Sequence, residues 1–306
     1  MADTRKVRAG RRTVTIGRPE KVLFPGDGIT KADLAEYYRA AAPRMLPHLR
    51  GRPLTMERHP NGIGDRGFFQ KEVPDHFPDW VRRAEMPKED GTVTYVLGED
   101  AATLVLLADQ GCVTLHRWLS RTDRPHHPDR LVFDLDPAGE GFAPVREAAR
   151  WLRGLLDEVG LPSLLMTTGS RGLHVLVPLD RSAPFDDVRA FASGVAGVLA
   201  SRHPDRLTTE VRKKAREGRL YLDVQRNAYG QTAVAPYTVR SRPGAPVAAP
   251  LDWDDLDDPE LDARRWRLAD VGALLARNDP WRPAPRPRSL RAAADRLRRT
   301  DRRSGP

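Results

Sequence analysis

The chain has a single cysteine in 306 residues, Cys112. An intrachain disulfide is impossible, and a multi-cysteine metal site is excluded with it. Cys112 stands between Gly111 and Val113 in an apolar stretch, where a reduced packing thiol is the expectation. Long apolar runs are also missing. The longest, "AATLVLLA", is far too short to cross a bilayer. The opening "MADTRKVRAGRRTVTIG" holds no apolar stretch of signal-peptide length. No segment recurs at a solenoid period. The expectation is a soluble cytoplasmic protein with no membrane partner.

Basic charge is what the chain has in excess. Lys and Arg number 51 against 42 Asp and Glu, a formal charge of +9. Such a protein commonly meets a polyanion, nucleic acid first. An arginine bias without any nucleic-acid function gives the same composition. The apolar fraction of 40% supports a true core. A mobile N-terminus is expected over residues 1–11, a catalytic domain over 12–279, and a basic Pro- and Arg-rich tail, unfolded, over 280–306.

Between these ends the pattern mixes strands and helices. "RTVTIG", "RPLTMERHP", "TVTYVLG" and "RLVFDLDP" read as strands. "GITKADLAEYYRAAAPRMLPHL" reads as a helix with Thr30 as N-cap and Asp33 completing a capping box. "DAATLVLLADQGC", "APVREAARWLRGLLDEVG" and "FDDVRAFASGVAGVLASRHP" read as further helices, and "VGALLARNDP" as a short last one. "PSLLMTT", "GSRG" and "LHVLVPL" read as strand, turn, strand. "RLYLDVQRNAYGQTAVAPYTVR" reads the same way. The fold class is α+β, with antiparallel or mixed sheets flanked by helices.

Asp134 and Asp136 stand two apart within the apolar "RLVFDLDP". A phosphatase of the haloacid-dehalogenase type would use the first as nucleophile and the second as general acid. It would then call on Thr168, Lys213 or Lys214, and Asp254 with Asp255, which occur in that order. Three features oppose this. Pro137 and Ala138 stand where that catalytic loop begins. A hairpin follows Thr168 where a helix is required. "WDDLDDPELD" is a solvated polar run with no strand before it.

The other reading is a metal site. Side chains alternate along a strand, so Asp134 and Asp136 share one face. Two neighbouring carboxylates repel unless a cation lies between them. Asp223 in "RLYLDVQRN" is a third acid set in an apolar strand, where Asp is disfavoured without compensation. Three carboxylates without His or Cys partners suit hard ions, Mg²⁺ or Mn²⁺. "TTGSRGLH" adds the makings of a triphosphate site: Gly169 and Gly172 for close backbone approach, Thr168 and Ser170 hydroxyls, and Arg171 and His174 as donors. A plain hairpin turn also uses Gly and Ser. Arg226 and Arg240 are further candidates for the same anion.

These motifs, in this order and spacing, resemble the polymerase domain of bacterial ATP-dependent DNA ligase D, within the archaeo-eukaryotic primase-polymerase superfamily. The resemblance runs through "VTIGRPEKVLFPGDGITKADLAEYYR", "RGRPLTMERHP", "GFFQKEVPDHFPDWV", "VTLHRWLSR", "PDRLVFDLDP", "GSRGLHVLVPL" and "LYLDVQRNAYGQTAVAPYTVRSRPGAPVAAPLDWDDL". It implies a primase-polymerase fold and two divalent cations, Mn²⁺ or Mg²⁺, on Asp134, Asp136 and Asp223. It implies nucleotide binding by His116, Thr168, Gly169, Ser170, Arg171, His174, Arg226 and Arg240. Lys21 and Lys31 match a pocket for the 5′-phosphate at a DNA gap, Phe68 and Phe69 match template-stacking rings, and Arg58 is expected at the DNA backbone. Thr168 stands where the family often has Ser, and Arg171 where many members have Lys. The implied activity is primer extension with ribo- or deoxyribonucleotides at gaps and break ends in non-homologous end joining. Its implied partners are a separate ATP-dependent ligase and the Ku end-binding protein, in a nucleoid-associated setting. "KEDGTV" near Lys88 matches a ligase motif only superficially, so a stand-alone polymerase is expected. A primase that starts chains de novo and a non-catalytic DNA-end bridging protein are the alternatives.

Overall fold

A computed structural model describes residues 3–300, and the backbone of 301–304. The first strands are β1 (Thr4–Ala9), β2 (Arg12–Gly17), β3 (Val22–Phe24) and β4 (Ile29–Thr30), followed by α1 (Lys31–Leu49). Next come β5 (Pro53–Arg58), β6 (Phe68–Gln70), β7 (Arg83–Lys88), β8 (Gly91–Leu97), α2 (Ala101–Asp109) and β9 (Cys112–Trp118). The central part holds β10 (Arg130–Asp136), α3 (Ala143–Glu158), β11 (Leu164–Thr167), β12 (Leu173–Pro178) and α4 (Phe185–Arg202). The chain continues through β13 (Leu207–Thr208), β14 (Leu220–Asp223), β15 (Thr232–Val234), β16 (Pro250–Leu251), α5 (Val271–Ala276) and α6 (Leu290–Ser304).

These elements form two compact units. Unit 1 combines the chain up to Asp123 with Thr232–Ala249 and Arg264–Asp279; unit 2 combines Arg124–Gln231, Pro250–Ala263 and the segment from Pro280. The single domain expected over 12–279 is therefore divided. The cause lies after Asp223. β14 pairs with β10 in unit 2, whereas β15 pairs with β9 in unit 1. "RLYLDVQRNAYGQTAVAPYTVR" is thus two strands of different sheets and not a hairpin.

Unit 1 carries a mixed-length antiparallel sheet in the order β15-β9-β5-β8-β7, with β6 beside β5. Helices α1 and α2 contribute Leu34, Tyr38, Met45, Leu104 and Leu107 to its core. The Thr30 cap of α1 and its capping box with Asp33 are both present. Unit 2 carries a sheet in the order β13-β14-β10-β12-β11-β16. Leu131, Phe133 and Leu135 of β10 bury one face with Val145, Leu152, Val188 and Val195 of α3 and α4. That leaves the face of Val132, Asp134 and Asp136 for other work. Among the described residues, no helix is long and apolar enough to cross a membrane.

Both ends differ from the sequence reading. The supposedly mobile 1–11 contains β1, which pairs with β2 from Thr4↔Gly17 to Ala9↔Arg12. Val7, Ala9, Val14 and Ile16 alternate into the core and hold the ribbon down. The supposedly unfolded 280–306 carries Trp281, buried, its Nε1 donating to the Leu165 carbonyl at 2.9 Å. It also carries α6, whose Leu290, Ala293 and Leu297 recur at helical spacing and are buried in the unit 2 core. Three apolar residues among many arginines suffice, because they share one face.

Candidate active site and nucleic-acid interface

The acids of unit 2 are gathered by strand register. β10 runs antiparallel to β12 on one side and β14 on the other. Asp134 is opposite His174 on β12 and opposite Asp223 on β14. Asp136 is opposite Tyr221. His174, Asp134 and Asp223 therefore form one row across three adjacent strands. Cross-strand partners have Cβ atoms about 5 Å apart, so Asp134 and Asp223 are neighbouring like charges.

Guanidinium and imidazole side chains answer that charge. Arg171 Nη2 lies 2.7 Å from Asp136 Oδ1, and Arg216 Nη1 lies 2.9 Å from Asp136 Oδ2. Arg216 is buried, and its guanidinium lies 4.1 Å from the centre of the Tyr221 ring. His174 Nε2 and Arg226 Nε stand 3.5 and 3.9 Å from Asp134 Oδ2. Asp223 Oδ1 accepts from the Gln225 backbone N–H at 2.7 Å. Among the described residues no group of three or more His, Cys, Asp or Glu is gathered as a metal cage. The donor set nevertheless fits a hard cation: it is all oxygen, two of the acids are register partners, and guanidinium groups now stand where positive charge is needed.

The turn after β11 has its own internal logic. The Thr168 hydroxyl donates to the Gly172 carbonyl at 3.0 Å and accepts from the backbone N–H groups of Ser170 and Gly172 at 3.3 Å. Thr168 thus shapes the loop, and Ser170 and Arg171 lie at its tip. Gly169 has φ of 64°, the left-handed region that favours glycine. Gly172 serves a different neighbour from the one expected. A Cβ there would stand 1.9 Å from the Leu135 carbonyl oxygen, so its bareness admits β10.

Arg216 and Asn227 are the residues of this site that sequence reading missed. Asn227 is fully buried just beyond β14. Its Oδ1 accepts from the Val132 N–H at 2.9 Å, and its Nδ2 donates to the carbonyls of Val132 at 2.7 Å and Val224 at 2.9 Å. It clamps the 3₁₀ turn Gln225–Asn227 onto β10 and so brings Arg226 to Asp134. The only signal was an Asn directly after the third acid. Arg216 gave none, being one cation in "RKKAREGR".

Unit 1 holds a different set. Glu57 on β5 lies diagonally from His116 on β9, because Thr55 pairs His116 and Glu57 pairs Thr114. His116 Nε2 is 3.6 Å and His59 Nε2 is 3.4 Å from the Glu57 carboxylate, and the Ser241 hydroxyl donates to it. Burial pushes the Glu57 carboxyl up, but the His116 and Ser241 hydrogen bonds and the charges of His116 and Arg240 outweigh it. The result lies well below the usual carboxylate range. Glu57 was not among the residues expected at a site. Arg240 and His116 both belong to this unit and both face that carboxylate, and Arg240 is on no regular strand. The Phe69 ring meets His116 edge-on at 5.5 Å.

Phe69 is 64% and Phe68 46% exposed, unusual for large apolar side chains. Arg58 lies 5.5 Å over the Phe68 ring and is held by the Gln110 carbonyl at 3.0 Å and Gln70 Oε1 at 2.7 Å. It also lines a cavity of about 410 Å³ together with Gly17, Arg18, Lys31, Pro60, Asp109, Gln110 and Gly111. Lys31 is buried there, its Nζ donating to the Gly17 carbonyl at 2.5 Å and to Asp109 Oδ1 at 3.1 Å. Lys21 is not part of the lining; its Nζ donates to Asn61 Oδ1 at 3.1 Å and its carbonyl accepts from the Lys31 N–H at 2.8 Å. Arg18, unremarked in the sequence, adds a third cation to the cavity wall.

Comparison with known proteins accords with this geometry. Residues 30–281 match the model of the LigD primase-polymerase domain. The multifunctional non-homologous end joining DNA repair protein LigD of Mycobacterium tuberculosis is 37% identical over 95% of this chain, but only 39% of that protein is covered. The corresponding LigD of Pseudomonas aeruginosa is 33% identical over 90% of the chain and 33% of its own length. The chain thus spans less than half of the curated relatives it matches. The polymerase domain of Mycobacterium tuberculosis ligase D, in a structure with DNA, superposes with a TM-score of 0.82 at 36% identity, covering 92% of this chain and 98% of that one. The family match, the sequence identities and the superposition agree, and the chain belongs to the LigD primase-polymerase family of nucleotidyltransferases.

Proposed function

We propose that this protein extends a primer 3′-hydroxyl with nucleotides, directed by a template strand, at gaps and break ends of DNA in bacterial non-homologous end joining. The observation that carries the reading is the row His174–Asp134–Asp223 across three strands, with Asp136 one step along β10. The family generally uses divalent metals. Asp134, Asp136 and Asp223 would hold two of them, Mn²⁺ or Mg²⁺. When bound, such ions lower the pKa of an attacking hydroxyl and offset charge on the leaving pyrophosphate.

The chain's own residues supply the rest. Arg171 and Ser170, at the tip of the turn after β11, are assigned to the triphosphate with Gly169, while Thr168 keeps the turn in shape. His174 and Arg226 flank Asp134, where they donate to phosphate oxygens and limit repulsion among the acids. In unit 1, Glu57 holds His116 in one orientation, and His116 and Arg240 are assigned to the incoming nucleotide. The cavity of Arg18, Lys31 and Arg58 is assigned to a 5′-phosphate, with Lys21 supporting Lys31. The exposed rings of Phe68 and Phe69 are assigned to template bases, which stack on aromatic faces without regard to sequence. A DNA ligase activity and the Ku protein are the partners proposed for this role.

The test is primer extension on a gapped duplex, comparing ribo- with deoxyribonucleotides and Mg²⁺ with Mn²⁺. Incorporation that needs the template and a divalent ion supports the reading. Extension unaffected by Asp134→Ala would overturn it.

A further inference from the structure

We infer that the β1–β2 ribbon of unit 1 is a second DNA-contact surface, one that grips the duplex beyond the 5′-phosphate. The ribbon precedes residue 30, where the family match begins. Residues 4–18 contain Arg5, Lys6, Arg8, Arg11, Arg12 and Arg18 and no acid. Strand alternation sorts them. Val7, Ala9, Val14 and Ile16 face the core. Lys6 opposite Thr15 and Arg8 opposite Thr13 face outward and are exposed. Arg11 stands at the tip, beside Gly10 with φ of 61°.

Two cations of the ribbon are already engaged: Arg5 with Glu36 at 3.4 Å, and Arg12 with Asp100 at 3.9 Å and over the Trp80 ring. Lys6, Arg8 and Arg11 have no acidic partner among the described residues. Positive side chains left uncompensated beside threonine hydroxyls are the residue types that bind phosphate backbone. The ribbon is also continuous with the basic cavity. β2 ends at Gly17, and Gly17 and Arg18 line the cavity that holds Lys31 and Arg58. Chain from Arg11 to Gly17 covers about 20 Å at about 3.3 Å per residue. At about 3.4 Å per base pair that reaches roughly six pairs past the phosphate.

Duplex fits this face better than a single strand. Its outward residues include no aromatic ring on which a base could stack, in contrast to Phe68 and Phe69. The inference rests on the reading of the cavity as a 5′-phosphate site, so the experiment separates the two. Binding is measured by fluorescence anisotropy on 5′-phosphorylated gapped DNA with downstream duplexes of increasing length, at several salt concentrations. Wild-type affinity should rise until the downstream arm is about six to ten pairs long, then level off. The variant Lys6→Ala/Arg8→Ala/Arg11→Ala should lose that rise and bind about tenfold more weakly to the long arm. Its slope of log affinity against log salt should fall by about two to three. Arg8→Gln alone should lower the slope by about one, which keeps the test open if the triple variant folds poorly. Equal slopes and equal length dependence in wild type and variants would overturn the inference, as would an equal loss on single-stranded DNA. Discrimination between phosphorylated and unphosphorylated gaps judges the cavity reading independently.

Discussion

The two sheets solve opposite electrostatic problems. In unit 2, acids occupy a sheet face and donors are brought to them: the guanidinium groups of Arg171 and Arg216 to Asp136, and the His174 imidazole and Arg226 to Asp134. In unit 1, one acid, Glu57, is placed among the donor groups of His59, His116 and Arg240. An acidic row with exchangeable guanidinium partners can give them up to a divalent ion. Imidazole and guanidinium groups gathered on a single carboxylate leave further N–H donors for phosphate. On the proposed function, unit 2 supplies the metal ligands and unit 1 the DNA contacts, and each half can be broken separately.

The sharpest break is Asp134→Ala. Primer extension should fall more than about 1000-fold, because a metal-stabilised transition state is worth several kcal/mol. Affinity for gapped DNA should stay within about twofold. A parallel loss of DNA binding, read by anisotropy, would collapse the division between the units. Next is Asn227→Ala, which strands the buried N–H and C=O of Val132. Urea denaturation should register a loss of about 3 kcal/mol. In addition, extension should drop with kcat more affected than KM, because Arg226 is no longer held at Asp134.

Phe69→Ala should act the other way round. Template affinity should weaken about tenfold, the stacking contribution of one base, while the rate at saturating DNA changes little. A variant with unchanged affinity would show that the exposed ring serves only His116. The smallest effect is Glu57→Gln. The folded carboxyl lies below its unfolded value, so its contribution to stability is complete above about pH 4.3 and fades as pH falls through the folded value. Wild type should therefore exceed the variant by about 1 to 2 kcal/mol at pH 7. The gap should narrow in denaturation curves taken progressively below pH 4. A gap constant with pH would mean the carboxylate is not held by its cationic neighbours.

The same contrast governs what was legible beforehand. Asp134, Asp136 and Asp223 announced themselves by interrupting apolar strands, where a charge has no local reason to be. The hairpin β11–β12 was equally plain, because an apolar alternating pattern resumed straight after the four-residue turn 169–172. Unit 1 gave no such breaks. Glu57, His116 and the adjacent pair Arg240 and Ser241 lie on three separate segments, and each looks like an ordinary surface group in its own stretch. β9 was not read as a strand, because Cys112–Trp118 is buried along almost its whole length and lacks alternation. The split between β14 and β15 was invisible because short-range pattern says nothing about which sheet a strand joins. Arg216 and Arg18 were lost among many arginines; only position distinguishes them.

Gly172 has a consequence for anyone wishing to alter this polymerase. The Leu135 carbonyl fills the space a side chain would need. Position 172 is thus closed to diversification, and a randomised library should leave it fixed along with Thr168. Ser170 and Arg171, carried on the same short turn and assigned to the triphosphate in the proposed function, are the positions left open to variation.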